Sequence, residues 1–186
     1  AEFRGMFAFA LWDAKRHRLL IARDPMGIKP LYYAHSDRHF LFASELRTLL
    51  QTGLIPRNLN HSALLNYFAF GSVYEPDTLI DGVCALPSGH VLTWEGGRVS
   101  VRQYWDLGTE NTGTTSGGSN VLPPADQSRI AALLDESVRM QLVSDVPVGV
   151  FLSGGVDSSS LVAILSRAGA RVSTFSIVFR EADFSE

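Results

Sequence analysis

The chain has 186 residues and a mass of 20.4 kDa, and its 46% apolar and 19% charged side chains exclude a wholly disordered polypeptide and suffice for one large domain or parts of two. Sixteen Lys and Arg against nineteen Asp and Glu leave a formal charge of −3 and a pI near 6.0, which excludes a global basic surface for nucleic acid. The single cysteine, Cys84, excludes an intrachain disulfide and a thiolate zinc cage, no apolar run reaches the ~18 residues of a membrane span, and the opening AEFRGMFAFA lacks a signal-peptide layout. A cytoplasmic protein with no membrane and no nucleic-acid partner is the expectation. Residue 1 is not Met, an apolar run starts at Met6, and Thr174 to Phe179 reads as a buried strand close to the end, so an internal piece of a longer protein is expected.

Residues 5–12, 17–23, 31–34 and 39–43 are short apolar or alternating runs separated by polar breaks, the pattern of an antiparallel sheet. Ser44 is placed to cap a short helix over 45–52 that ends at Gly53. Asn60 is placed to cap a second helix, 62–70, with Gly71 just past its end. The runs HVLTWE and VSVRQYW flank Gly96-Gly97 and predict a hairpin, since a tight turn there needs two positive φ angles.

From Gly108 to Asn120 the sequence GTENTGTTSGGSN has no side chain to bury and predicts a linker that is cleaved easily. Past Pro123-Pro124, Ile130, Leu133, Leu134, Val138 and Leu142 recur at helical spacing on one face. An apolar run from Val146 to Leu152, the turn SGGVDSS, a helix over 159–168 and a second apolar run from Val172 to Phe179 together predict a βαβ unit with a parallel sheet.

Val150 to Ser159 is the most informative stretch. Two consecutive glycines at a strand-to-helix junction let the backbone turn with no Cβ in the way of an incoming group, and the N–H groups of the first helical turn face an anion there. Ser153, Ser158 and Ser159 add hydroxyls, whereas Asp157 repels a phosphate unless it binds a divalent cation such as Mg2+ that bridges phosphate oxygens. Gly155-Val156 stand where a Walker A loop needs Lys and Ser or Thr, and Phe151 stands where a nucleophile elbow around Ser153 needs Gly. The bland alternative is a turn with glycines for geometry and Ser or Asp as helix cap.

SGGVDSS after an apolar strand resembles the PP-loop of the N-type ATP pyrophosphatases, and SDVPVGVFLSGGVDSS as a whole resembles the synthetase domain of glutamine-hydrolysing asparagine synthetases. GMFAFALWD, ARDPMGIKPLYY, FASELRTLL and LPSGHVL resemble the later part of a class II glutamine amidotransferase domain. The resemblance implies an α+β part, 1–107, from an αββα sandwich with an N-terminal nucleophile, a linker over 108–124, and an α/β part, 125–186, that opens a parallel-sheet PP-loop domain. It implies ATP and Mg2+ as cofactors and glutamine and aspartate as small-molecule substrates. It places Ser153, Gly154, Gly155, Asp157 and Ser158 at the pyrophosphate, Asp157 on the metal, and Phe151 and Leu152 against the nucleotide. The family's catalytic cysteine and its glutamine-holding residues precede the stretch read here.

Two alternatives stay open: a relative that closes a β-lactam or amidates another carboxylate, and a non-catalytic module whose degenerate glutaminase half is a scaffold or homodimer surface. Cys84 reads as a small buried apolar residue rather than a displaced nucleophile, and Arg23, Asp24 and Lys29 as parts of a structural turn. His35 and His39 flank a hairpin turn, which disfavours a metal site. His17, His61 and His90 are isolated and are given no metal. Tyr32, Tyr33, Tyr67, Phe68 and Phe70 lack interleaved basic residues and read as core, and Arg129 and Arg139 as solvated.

Overall fold

A computed structural model describes residues 3–108 and 123–178. The chain divides into two compact units, Ala1–Glu110 and Asn111–Glu186. The expected linker, 108–124, falls almost entirely outside the described residues.

The first unit contains strands β1 (Ala8–Asp13), β2 (Arg18–Arg23), β3 (Tyr32–His35) and β4 (Phe40–Ala43), helices α1 (Leu46–Gln51) and α2 (His61–Phe70), and strands β5 (Val83–Ala85), β6 (His90–Glu95) and β7 (Arg98–Gln103). The expected single sheet is in fact two antiparallel ones, ordered β1-β2-β6-β7 and β4-β3-β5. The break comes at DPMGIKP, which forms a wrapped turn and not a hairpin, so β2 takes β6 as its second neighbour. Ile21 lies opposite Leu92, and Leu19 opposite Trp94. By strand alternation these four share a face, and with Leu31, Leu86, Tyr33 and Phe40 they form a core to which both sheets contribute. Each aliphatic side chain removed from water there stabilises by about 1.5–3 kcal/mol. A second cluster, Ala34, Leu49, Ile55 and Val83, joins the smaller sheet to α1.

Local signals set most element ends. Asn60 accepts from the Ala63 N–H, and Gly71 adopts φ 72° directly after α2. Gly96 and Gly97 take φ 54° and 77° at the β6–β7 turn. Ser44 is not the cap of α1: Glu45 holds that position and makes no side-chain capping bond. Strand β5 is too short, at three residues, to show a period in sequence. Of the five aromatic residues expected in the core, Tyr32 and Tyr33 are half-buried, but Tyr67, Phe68 and Phe70 are exposed. Helix α2 is apolar on several faces and buries only Ala63, so its aromatic rings point elsewhere.

The turn after β2 is held by two buried charged side chains. The Asp24 carboxylate accepts from the N–H groups of Met26, Ile28 and Lys29 at 2.9–3.1 Å. The Arg23 guanidinium donates to the carbonyls of Gly27, Lys29 and Leu86 and to Glu75. The Tyr104 hydroxyl donates to the Arg23 carbonyl at 2.7 Å, and the Asp24 carbonyl accepts from Gly89 N–H at 2.9 Å. The turn is therefore structural.

Burial works against ionisation of Asp24, but the backbone N–H groups around it prevail and hold its carboxyl below the usual carboxylate range. A depressed folded-state pKa contributes stability that is complete above the unfolded value of about 3.9 and is lost as pH falls through the folded value. In urea titrations the stability gap between the native chain and Asp24→Asn should therefore be constant above about pH 5 and shrink as the pH drops towards 2. A gap independent of pH would show that Asp24 acts by shape alone.

The second unit contains helix α3 (Pro124–Met140), strand β8 (Gly149–Phe151), helix α4 (Val156–Arg167) and strand β9 (Ser173–Phe175), with β8 and β9 parallel. Two expectations need correction. The strands span three residues each, fewer than the apolar runs suggested, and β9 is exposed where a buried strand was expected. Strand β8 also pairs with β9 alone among the described residues, so little packs on either strand. On α3 only Val138 of the expected stripe is fully buried, with Ile130, Leu133 and Leu134 at 41–52% exposure. Arg139 pairs with Asp135 at 2.7 Å on the surface of that helix.

Candidate functional site: the loop between β8 and α4

Phe151 ends β8, and its ring is 79% exposed with its centroid 6.5 Å from that of Phe175. A Cβ on Gly149 would lie 2.6 Å from the Phe175 ring, so glycine is required for the ring to lie across the strand. Leu152 follows half-buried. Its N–H donates to the Phe175 carbonyl at 2.8 Å, which carries the strand pairing one residue further.

The chain then turns through Ser153 and Gly154, the latter at φ 87°, a left-handed conformation open to glycine at no steric cost. Gly155 is the N-cap of α4, with φ −67° and ψ 161°. The helix begins three residues earlier than expected, so Asp157 and Ser158 lie in its first turn and not in the preceding turn. No side chain caps this helix. No Ser or Asp takes the N-cap position that the bland reading gave it, and the positive end of the helix dipole has no carboxylate or hydroxyl cap.

Asp157 is exposed in that first turn. Among the described residues no group of three or more His, Cys, Asp and Glu could hold a metal ion. A lone carboxylate beside an uncapped helix start is the donor set that suits Mg2+ carried in on phosphate oxygens, since that ion takes one or two protein carboxylates and fills its other positions with phosphate and water. Ser158 behaves differently from the reading given to its hydroxyl. Its Oγ accepts from the Ser153 N–H at 3.3 Å, lies 3.2 Å from Ser153 Oγ and donates to the Gly155 carbonyl at 3.2 Å. That oxygen is engaged within the loop.

The seven residues proposed from sequence run from the last residue of β8 through the glycine turn into the first turn of α4, at the C-terminal end of a strand, the edge at which open α/β sheets take ligands. Ser176 was missed: its Oγ donates to the Leu152 carbonyl at 2.7 Å from the segment just after β9. No local pattern marks it, because the contact joins residues 24 apart.

The other candidates sort differently. Cys84 sits in β5 opposite Tyr33, and burial pushes its thiol up, against a hydrogen bond from Tyr33 that acts the other way. Burial, with Cys84 adding, raises the Tyr33 hydroxyl to about 12. A thiol raised in this way carries little thiolate at neutral pH and is no activated nucleophile. His35 and His39 flank the β3–β4 hairpin, both exposed, with Ser36 N–H bonded to the His39 carbonyl. No helix among the described residues is long and apolar enough to cross a membrane.

Comparison with known proteins places the two units in sequence space. A glutamine amidotransferase domain model matches residues 1–105, and an asparagine synthase model matches residues 129–186. The chain is 35% identical over 98% of its length to asparagine synthetase [glutamine-hydrolyzing] 3 of Bacillus subtilis, covering 30% of that protein. It is 38% identical over its whole length to a putative asparagine synthetase [glutamine-hydrolyzing] of Mycobacterium bovis, covering 28% of it. It is also 36% identical over 89% of its length to the amidase chry2 of Gibberella zeae, covering 24% of that protein. The chain thus spans less than a third of the length of these relatives. With the amidotransferase match extending over more than half of its residues and the synthase match over the stretch that carries the glycine loop, the chain belongs to the glutamine-hydrolysing asparagine synthetase family.

Proposed function

We propose that this chain contributes to an ATP-dependent amide synthesis in which aspartate is activated as its β-aspartyl adenylate and aminated with ammonia from glutamine to give asparagine. The observation that carries the reading is the uncapped start of α4 behind a glycine turn, in the segment matched to asparagine synthase. Residues 1–107 are then the later part of the glutaminase domain, an αββα sandwich to which the two sheets and α1 belong. Residues 125–186 open the PP-loop synthetase domain, with 108–124 as the linker.

In this mechanism the N–H groups of Gly154, Gly155 and the first turn of α4 take the β- and γ-phosphate oxygens of ATP. Ser153 adds its hydroxyl, while Ser158 adds its own N–H and braces the turn with Oγ. Asp157 would hold Mg2+, which would supply positive charge against pyrophosphate. Phe151 and Leu152 pack against the nucleoside end. The aspartate carboxylate oxygen attacks the α-phosphorus, the bond to the β-phosphate oxygen breaks, and pyrophosphate leaves. Ammonia then attacks the activated carbonyl, loses a proton and displaces AMP. The chemical gain is a leaving group: a carboxylate is a poor acyl donor until one oxygen carries AMP, and preorganised donors favour the charge that develops on pyrophosphate.

The full-length protein supplied with ATP, Mg2+, aspartate and glutamine should release AMP and pyrophosphate in equal amounts with asparagine. Formation of ADP and inorganic phosphate would overturn adenylation. A second reading keeps the activation and changes the acceptor, since one relative carries the name amidase and not asparagine synthetase. AMP release that depends on a different carboxylic acid, and not on aspartate, would select it.

A further inference from the structure

The peptide unit that joins Leu152 to Ser153 is held at both ends by serine hydroxyls from different elements. Its carbonyl oxygen accepts from Ser176 Oγ at 2.7 Å, and its N–H donates to Ser158 Oγ at 3.3 Å. Ser158 lies in the first turn of α4, and Ser176 lies one residue past β9. This peptide plane lies one ahead of the Ser153–Gly154 peptide, and the left-handed φ of Gly154 aims the N–H groups that follow. A rotation of the plane would exchange the directions of its C=O and N–H and turn the loop's donors away from a bound anion. Such a rotation turns ψ of Leu152 and φ of Ser153, and Gly154 and Gly155 just beyond let the following chain accommodate it with no Cβ in the way. The two hydroxyls supply the restriction that the glycines lack.

We infer that Ser176 is a positioning residue for the nucleotide site, acting with Ser158 as a clamp that fixes the Leu152–Ser153 peptide so that the glycine loop stays preformed for pyrophosphate. The inference rests on the pyrophosphate reading above. Ser176 touches no substrate in it. Its contribution is the fraction of molecules whose loop is already in the binding conformation, and affinity scales with that fraction.

The test uses full-length protein and ATP–pyrophosphate exchange, with Ser176→Thr and Ser176→Val as a matched pair. Both are β-branched and nearly equal in shape, and only Thr keeps the donor. Ser176→Val should raise the KM for ATP about fivefold, the effect of losing one ordinary hydrogen bond, and leave the KM for the acceptor acid unchanged. Ser176→Thr should restore the KM for ATP. Ser158→Ala opens the same peptide from its other end, so combining it with Ser176→Val should raise the KM by much less than the product of the single effects. Ser176→Ala removes the hydroxyl without adding bulk and gives the same comparison should Val disturb β9.

Equal KM values for the Thr and Val proteins, or fully multiplicative effects of Ser158→Ala and Ser176→Val, would overturn the clamp. A native KM for Ser176→Val beside a disabled Asp157→Asn removes the clamp and leaves the pyrophosphate reading in place. Native behaviour of both variants removes the clamp and the metal-holding role of Asp157, whereas the absence of ATP–pyrophosphate exchange in the native full-length protein removes the pyrophosphate reading and the clamp with it.

Discussion

Asp157→Asn in the full-length protein should leave the melting temperature almost unchanged and lower ATP–pyrophosphate exchange by two orders of magnitude or more. The two halves of that expectation rest on separate features. Asp157 stands in the first turn of α4, while the N-cap is Gly155 and takes no side-chain bond, so the substitution removes no cap. What remains for stability is one exposed carboxylate at the positive end of a helix dipole, worth about 0.3–1 kcal/mol and screened by salt. Chemistry is affected far more. Asn keeps the shape but not the charge proposed to hold Mg2+, and an electrostatic contact made to developing charge in the transition state is worth at least the ~2.7–4 kcal/mol measured for one oxyanion donor. Release of ammonia from glutamine should persist, because the glutaminase chemistry proposed for the full-length protein belongs to the other domain. Near-normal exchange by a well-folded Asp157→Asn protein would sink the metal-holding role and leave the loop's backbone N–H groups as the phosphate contacts.

The second large effect is on stability. Arg23→Met should destabilise the first unit by about 3–5 kcal/mol, read as a fall in the urea midpoint without a change in slope. The Arg23 side chain is 9% exposed and donates to three carbonyls, those of Gly27, Lys29 and Leu86, as well as to Glu75. Methionine fills part of the volume and satisfies none of them, so carbonyl oxygens that water reaches poorly lose their donor. Arg23→Lys should recover little, because a single ammonium cannot span acceptors arranged around a planar fork. Glu75→Gln should cost less than 1 kcal/mol, since that carboxylate is 38% exposed and keeps water in exchange for the guanidinium. A loss below 1 kcal/mol for Arg23→Met would mean that water enters the turn and replaces the guanidinium.

Much of this was legible in the residues, and the parts that were share a physical cause. Asn60 before an apolar run and Gly71 after it mark a helix because capping and left-handed φ are decided within four residues. Gly96-Gly97 marks a hairpin because two positive φ angles are a local demand. The strand, glycine turn and helix around Ser153 were readable for the same reason, although the helix starts three residues earlier than expected.

Sequence by itself therefore determined most of the strands and helices, the glycine turns and the family. Only the tertiary structure decided what depends on partners distant in the chain. It split the apolar runs between two sheets, because β2 pairs with β6 some 70 residues away and not with β3. It left Tyr67, Phe68 and Phe70 outside the core, because burial depends on which face a neighbour covers and an all-apolar helix does not announce that face. It moved the start of α4 back to Val156, which withdrew the capping role from Asp157. It also joined Ser176 to Leu152 across 24 residues. A hydrogen bond between distant residues has no period and no spacing rule, so it exists for the reader only once the strands that bring its ends together are in place.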